Sequence, residues 1–343
     1  MKLFQKFLAL VLAAAMTMSL LTGCTVSGSE TRSPETTEAP ADADAQTDAP
    51  TDAPTNPPTD APTDAPAGII VTDMMGREIT LTEPATRVVA LTASDCEILY
   101  AIGAGDTLVG RGEYCDYPAE VFDVPSVESG YEMNLEQVIA LQPQVLLMST
   151  MAQSKEQVES LEKAGIQVVV SNAQDIEGTY EAISLIGALM GKDAEAQAII
   201  DNMKTTFDDL AAKVSANTGE EKTVYFEVSP LEYGLWAAGN NTFMNEIAEM
   251  LGLTNIFADV DGWGAVSEEQ VLTRDPDYIV TISMYFGEGP TPVEEILGRT
   301  GWENVTAVKN SAILNLQNNE LSRPAPRLAD GAQMMYDFVY EAK

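Results

Sequence analysis

Histidine is absent from this chain of 343 residues. That excludes a Ser-His-Asp triad, a His-ligated zinc and a His-bound haem. Basic residues are scarce: 18 Lys and Arg stand against 53 Asp and Glu, a formal net charge of −35. Such a surface repels nucleic acid and anionic lipid, so no DNA or RNA partner is expected. Three cysteines cannot build a zinc ribbon or a disulfide framework. Catalytic signatures are missing too. Gly103-Ala104-Gly105-Asp106 is a glycine-rich turn without Gly-x-Gly-x-x-Gly spacing, and no Walker A motif occurs. No nucleophile–base pair is identifiable. Catalysis is therefore not expected, which leaves a binding module and a surface adhesin as the classes to weigh.

What is present begins with an address. Lys2 and Lys6 precede an apolar run from Phe7 to Leu21, too short for a comfortable membrane span. It ends in Leu21-Thr22-Gly23-Cys24, which resembles a bacterial lipobox. Residues 1–23 are expected to be a signal peptide, and Cys24 the lipidated N-terminus at the outer face of the membrane. Residues 24–67 then read as a disordered tether. A Thr-Asp-Ala-Pro repeat runs from Thr47 to Pro66, with one variant unit at Thr55-Asn56-Pro57-Pro58. Repeated Pro favours polyproline II, at about 3.1 Å per residue, for a reach on the order of 130 Å.

From residue 68 onward the composition can bury a core. Ile69–Asp73 and Glu78–Thr82 alternate as strands around a turn at Met75-Gly76. Val88–Leu91 leads into Ser94-Asp95-Cys96-Glu97, read as a capping box. Short strands and helices keep alternating, the cadence of βα units around a parallel sheet. Between Ala194 and Ala216 the period changes: Ile200, Met203, Phe207, Leu210 and Val214 form one apolar stripe on a long helix. The expected fold is α/β, two Rossmann-like lobes with parallel sheets joined by a single long α-helix. The boundaries are 68–190, 191–217 and 218–343.

An internal echo supports two lobes on one plan. Asn134-Leu135-Glu136-Gln137 opens a short helix that ends at Pro143 before the apolar strand Val145-Leu146-Leu147. Ser267-Glu268-Glu269-Gln270 opens another that ends at Pro276 before Tyr278-Ile279-Val280. Each has a capping residue, Gln three positions later, a short helix, Pro and a strand.

The segment from about residue 68 to the end resembles the substrate-binding proteins of ABC importers for cobalamin, ferric siderophores and haem. The resemblance rests on Asp73 and Gly76 of the hairpin, Arg87-Val88-Val89-Ala90-Leu91, Tyr114-Cys115-Asp116-Tyr117-Pro118, Asn134-Leu135-Glu136, Asp275-Pro276-Asp277 and Arg323-Pro324-Ala325-Pro326-Arg327. It implies a stiff two-lobed protein that captures its ligand between the lobes, closes slightly and delivers it to a permease dimer with its ATPase. The cobalamin branch is the most similar. There the resemblance implies ligand contacts at Tyr114, Tyr131, Trp236, Trp263, Asn319 and Arg323. It also implies docking of Glu136 and Glu269 onto arginines of the two permease subunits. Each of these glutamates sits at the second position of a capped helix, where a negative charge favours the helix dipole in any case.

A corrinoid is large, flat and mostly neutral, so it needs aromatic walls and a few directed donors and acceptors. Tyr114, Tyr131, Trp236 and Trp263 supply walls; Asn319 and Arg323 supply polar contacts to its rim. From residue 68 onward 15 basic residues face 44 acids, which disfavours an anionic siderophore. No cofactor or metal site beyond the transported ligand is expected, and the protein is read as a monomer. Arg327 is expected to pair within the C-terminal segment, and Cys96 to be a buried free thiol. Cys115 is either the same or its disulfide partner.

Overall fold

In the computed structural model, which describes residues 68–130, 133–150, 154–216, 221–317 and 319–341, a hairpin comes first. Ile69–Thr72 (β1) pairs antiparallel with Glu78–Leu81 (β2). The turn is held by Asp73, whose Oδ1 accepts the Met75 and Arg77 N–H groups at 3.0 and 2.9 Å. Its Oδ2 accepts Arg77 Nη2 at 2.7 Å and the Val170 N–H at 3.1 Å. Burial raises the Asp73 pKa, but the hydrogen bonds from Arg77 and Val170 outweigh this and hold it below the usual carboxylate range. Gly76 at φ 75° supplies the left-handed position the turn needs. The export signal, Cys24, the tether and Tyr131 lie outside the described residues.

The first lobe is a five-stranded parallel sheet. Its strands are Val88–Ala90 (β3), Leu108–Gly112 (β4), Ser126–Val127 (β5), Val145–Met148 (β6) and Gln167–Val170 (β7), in the order β5-β4-β3-β6-β7. Its helices are Ala93–Ala101 (α1), Leu135–Ala140 (α2), Lys155–Lys163 (α3) and Ile176–Leu189 (α4). The α1 cap corrects the sequence reading. Thr92, not Ser94, accepts the Asp95 N–H, at 3.3 Å, so the helix starts two residues earlier. Glu97 therefore lies beyond the capping positions and is free to point inward.

Asp193–Ser215 (α5) is the long helix, about 35 Å at 1.5 Å per residue. Ile200, Met203, Phe207 and Leu210 are buried along one stripe. They pack on α4 of the first lobe and on Phe243–Met250 (α6) and Leu328–Tyr336 (α10), which follow α5.

The second lobe is built on Lys222–Ser229 (β8), Trp236–Ala238 (β9), Leu253–Asn255 (β10), Trp263–Ala265 (β11), Tyr278–Thr281 (β12) and Ile313–Asn315 (β13). Glu268–Arg274 (α7), Pro292–Leu297 (α8) and Thr306–Lys309 (α9) complete it. The order is β11-β9-β8-β12-β13, with β10 also on β8. Here the expected parallel sheet is mixed: β9 and β11 run antiparallel. Only residues 230–235 separate β8 from β9, too short a connection for a parallel crossover.

Along the strands, alternate residues enter different cores. Val88, Ala90, Val145 and Leu147 join a cluster that also takes in α5, Val224, Phe226, Met244, Leu328 and Met335. Val89, Leu146 and Val168 face a separate cluster in the first lobe, and Tyr225, Phe257 and Trp302 one in the second. One continuous apolar core therefore passes from lobe to lobe through α5.

Gly112, at the end of β4, leaves no room for a side chain: a Cβ there would stand 2.3 Å from the Leu91 carbonyl oxygen. Gly112→Ala is expected to destabilise the fold by about 2 kcal/mol, as overpacking against backbone does. An unchanged urea midpoint would contradict this.

Candidate functional site

In parallel α/β sheets ligands sit beyond the carboxyl ends of the strands. In the first lobe that edge carries the loop after β4, which holds Tyr114, 69% exposed, and Tyr117, 43% exposed. The loop is braced from beneath. Arg111 is buried, and its Nη1 donates to the Gly112 and Cys115 carbonyls at 3.2 and 3.1 Å. Cys96 and Cys115 are both buried and free, so the disulfide alternative is not formed. Each thiol faces the Ala90 carbonyl, at 3.9 and 4.0 Å. The hydrogen bond with Cys115, together with burial, pushes the Cys96 thiol well above its ordinary pKa.

In the second lobe the corresponding loops follow β8, β12 and β13. Trp236 opens β9 opposite Ala265, and Trp263 opens β11 opposite Ala238. Side chains two apart on a strand, and those directly opposite, share a face, so both indoles lie diagonally on one side of the sheet. Trp236 is 43% exposed. Trp263 is partly buried at the seam between the lobes: its ring tilts against Phe243 at 5.4 Å, and its Nε1 donates to Gln174 Oε1 at 3.0 Å. Gln174 precedes α4, so this contact crosses from lobe to lobe. Beside it, the Ile176 N–H donates to Glu246 Oε2 at 2.7 Å, a carboxylate of α6 capping a helix of the other lobe.

Asn319 is half-buried in the turn after β13. Arg323 is buried, and its Nη1 donates to Glu97 Oε1 at 2.8 Å and Asp116 Oδ1 at 2.6 Å. Arg327 pairs with Glu320 at 2.9 Å, as expected within its own segment. It also reaches across to Glu97 at 2.7 Å and lies 3.7 Å over the Tyr117 ring. The structure thus joins Arg323 to the Tyr114–Pro118 loop through Asp116. Glu136 and Glu269 occupy the second positions of α2 and α7, both exposed. Their helices are capped as read, by Asn134 and by a complete Ser267–Gln270 box.

Sequence reasoning missed two features. One is Glu97 with Asp116, whose partners lie 226 and 207 residues away. The other is a cavity of about 590 Å³ at the carboxyl ends of β8 and β12, walled by Tyr233, Met284, Tyr285 and Phe286. The aromatic run inside a Gly- and Pro-flanked loop, Met284 to Pro290, was the available signal. A second cavity of about 490 Å³, between the hairpin, α4 and α5, touches none of the expected site residues. Among the described residues no cluster of three Cys, Asp or Glu is placed to hold a metal ion.

Comparison with known proteins agrees with this geometry. The Periplasmic binding protein family profile matches residues 88–320. An uncharacterised ABC transporter substrate-binding lipoprotein of Bacillus subtilis, YvrC, is 32% identical over 276 residues, 79% of this chain and 85% of that protein. A vitamin B12-binding protein of Vibrio parahaemolyticus is 27% identical over 247 residues, 71% of this chain and 86% of its own length. A crystal structure from Staphylococcus epidermidis, titled a possible iron-binding (periplasmic solute-binding) protein, aligns with TM-score 0.63 at 30% identity. It covers 75% of this chain and all of that one.

Asp95 gives the site region a pH dependence. It is fully buried in the first turn of α1; Thr92 donates to its Oδ2, and its Oδ1 has no hydrogen-bond partner. Burial raises its pKa to about 6, against the opposing effect of the Thr92 and Ser171 hydroxyls. The folded chain then holds a proton between about pH 4 and 6 that the unfolded chain has released. Stability from this group is full at low pH and lost as pH rises towards 6, a cost on the order of 3 kcal/mol above it. Asp95→Asn is expected to raise the urea midpoint at pH 7.5 and to leave it nearly unchanged at pH 4. An equal shift at both values would remove the assigned protonation.

Proposed function

The chain belongs to the periplasmic binding proteins, the extracytoplasmic substrate-binding components of ABC importers, and we propose that its cargo is a corrinoid held between the two lobes. It is a transport component and not an enzyme, and its partners are a ligand and a permease. The observation that carries the corrinoid reading is the charge at the aromatic walls. Arg323 and Arg327 are already held by Glu97, Asp116 and Glu320, and Arg111 is turned onto backbone carbonyls. An anionic chelate needs cations that are not spent on internal carboxylates. A near-neutral ring needs aromatic surface and amide partners, for which Tyr114, Tyr131, Trp236, Trp263 and Asn319 are suited. Arg323 is assigned to the edge of the same site. The vitamin B12-binding relative points the same way. The resemblance to a possible iron-binding protein makes a ferric chelate the comparator.

In this reading Cys24 carries the lipid anchor, residues 24–67 form the tether, and the protein works as a monomer at the outer face of the membrane. Lobes 68–190 and 218–343 flank the helix segment 191–217. Glu136 and Glu269, one on each lobe, dock onto the two permease subunits. Their local setting suits the role: both are exposed, and both stand at helix starts that hold them in place.

Calorimetric titration with cyanocobalamin is expected to show one tight site. Trp263→Ala should weaken it about 30-fold, the scale of a buried aromatic anchor. A chain that ignores cyanocobalamin yet binds a ferric hydroxamate keeps its family and loses this cargo. Separately, Glu136→Lys combined with Glu269→Lys should abolish transporter-dependent uptake at unchanged cargo affinity. Uptake that survives the double reversal would place the docking surface elsewhere.

A further inference from the structure

The cavity at the carboxyl ends of β8 and β12 belongs to the second lobe alone and was not among the expected contacts. Its volume, about 590 Å³, is enough for a small organic ligand or for one arm of a larger one. Its walls are aromatic: Tyr233 and Phe286 are 77% and 82% exposed, and the Tyr285 hydroxyl lies 3.4 Å from the Gly289 carbonyl. Single exposed rings are ordinary; three lining one cavity offer aromatic surface to whatever enters.

Charge sets what that is. Glu232, Glu288 and Glu295 line the cavity, and no Lys or Arg does. The guanidinium that pairs with Glu295, Arg299, is buried and shared between two carboxylates. It donates to Glu227 at 2.7 and 2.9 Å and to Glu295 at 2.6 Å. One cation between two anions leaves a net negative charge, and Glu295 is the member exposed to the cavity. Glu232 and Tyr233 are neighbours in the chain and both line the cavity, which sets a carboxylate beside an aromatic ring. Aromatic faces combined with carboxylates recognise alkylammonium groups, because the ring quadrupole and the anion attract the same sign.

We propose that this cavity is a subsite for an organic ammonium group, either a free quaternary ammonium compound or the positively charged arm of a transported cargo. The inference rests on the binding-protein reading for its purpose, which is to admit cationic or neutral cargo and to reject carboxylate-bearing chelates. It does not depend on the cargo being a corrinoid.

The test uses the full chain and two small probes of equal shape: choline, which carries the charge, and 3,3-dimethylbutan-1-ol, which does not. Binding is followed by NMR titration, with Tyr233 and Phe286 as reporters. The expected result is saturable choline binding at least tenfold tighter than the neutral alcohol. The preference should vanish in Glu232→Gln/Glu288→Gln. Phe286→Ala, which removes a ring 82% exposed, should weaken choline at least threefold. Equal affinity for the two probes, shifts confined to other acidic surfaces, or a preference that survives the double substitution each overturn the proposal. A failed cyanocobalamin titration removes the corrinoid cargo and leaves this result standing, while absent choline binding beside intact cyanocobalamin binding removes only the subsite.

Discussion

Glu97 is where the two halves of the molecule meet electrically. It leaves the first lobe on α1 and receives Arg323 and Arg327 from the segment that follows the last strand of the second lobe. All three charges are largely withdrawn from water, with side-chain exposures of 2%, 7% and 14%. A buried pair of this kind adds little net stability against an apolar alternative, but removing one partner leaves an uncompensated charge at a cost of about 3–5 kcal/mol. Its effect is therefore to specify geometry. The same arginines hold Asp116 and cover Tyr117, so the position of the aromatic loop after β4 depends on where the C-terminal segment lies.

That coupling makes sense of the rest of the architecture. A continuous core runs from the first sheet along α5 into the second lobe, and close-packed interiors do not deform continuously. Further contacts cross the seam, among them Trp263 to Gln174, the Phe243 N–H to the Gln174 carbonyl, and Glu246 to the start of α4. Lobes bound by a helix, a shared core and a buried ion cluster are set for small adjustment and not for wide closure. On the cargo reading proposed above, such a frame suits a large, rigid ligand, because little ordering remains to be done on binding.

Local patterns were readable from the sequence. The hairpin, the α5 stripe and the paired capped helices at Asn134 and Ser267 each follow from residues a few positions apart. What escaped depends on long-range placement. Ser94 looked like a cap because Glu97 stands three residues on, yet the structure spends Glu97 on arginines more than 220 residues away. The antiparallel edge formed by β9 and β11 was hidden because short apolar runs do not declare their direction. Arg323 was read as a ligand contact, and its internal partners were not visible. Met284, Tyr285 and Phe286 carried a signal, an aromatic run within a glycine-rich loop, but nothing in the periodicity joined them to Tyr233.

The charge distribution links the fold to the cargo proposed for it. A folded part with 15 basic residues and 44 acidic ones has few cations to place, and those near the site serve its construction. Arg299 binds Glu227 inside the second lobe, and Arg323 and Arg327 join the lobes; outside the site, Arg77 closes the hairpin by the same kind of pairing. Each is fixed by carboxylates before any ligand arrives. An anionic cargo would have to compete for these guanidiniums and would leave Glu97 or Glu227 buried without a partner, at a cost larger than a single surface contact returns. Neutral and cationic molecules face no such penalty. On the cargo reading proposed above, the arrangement that holds the two-lobed frame together also selects cargo by sign, and the aromatic walls select it by shape.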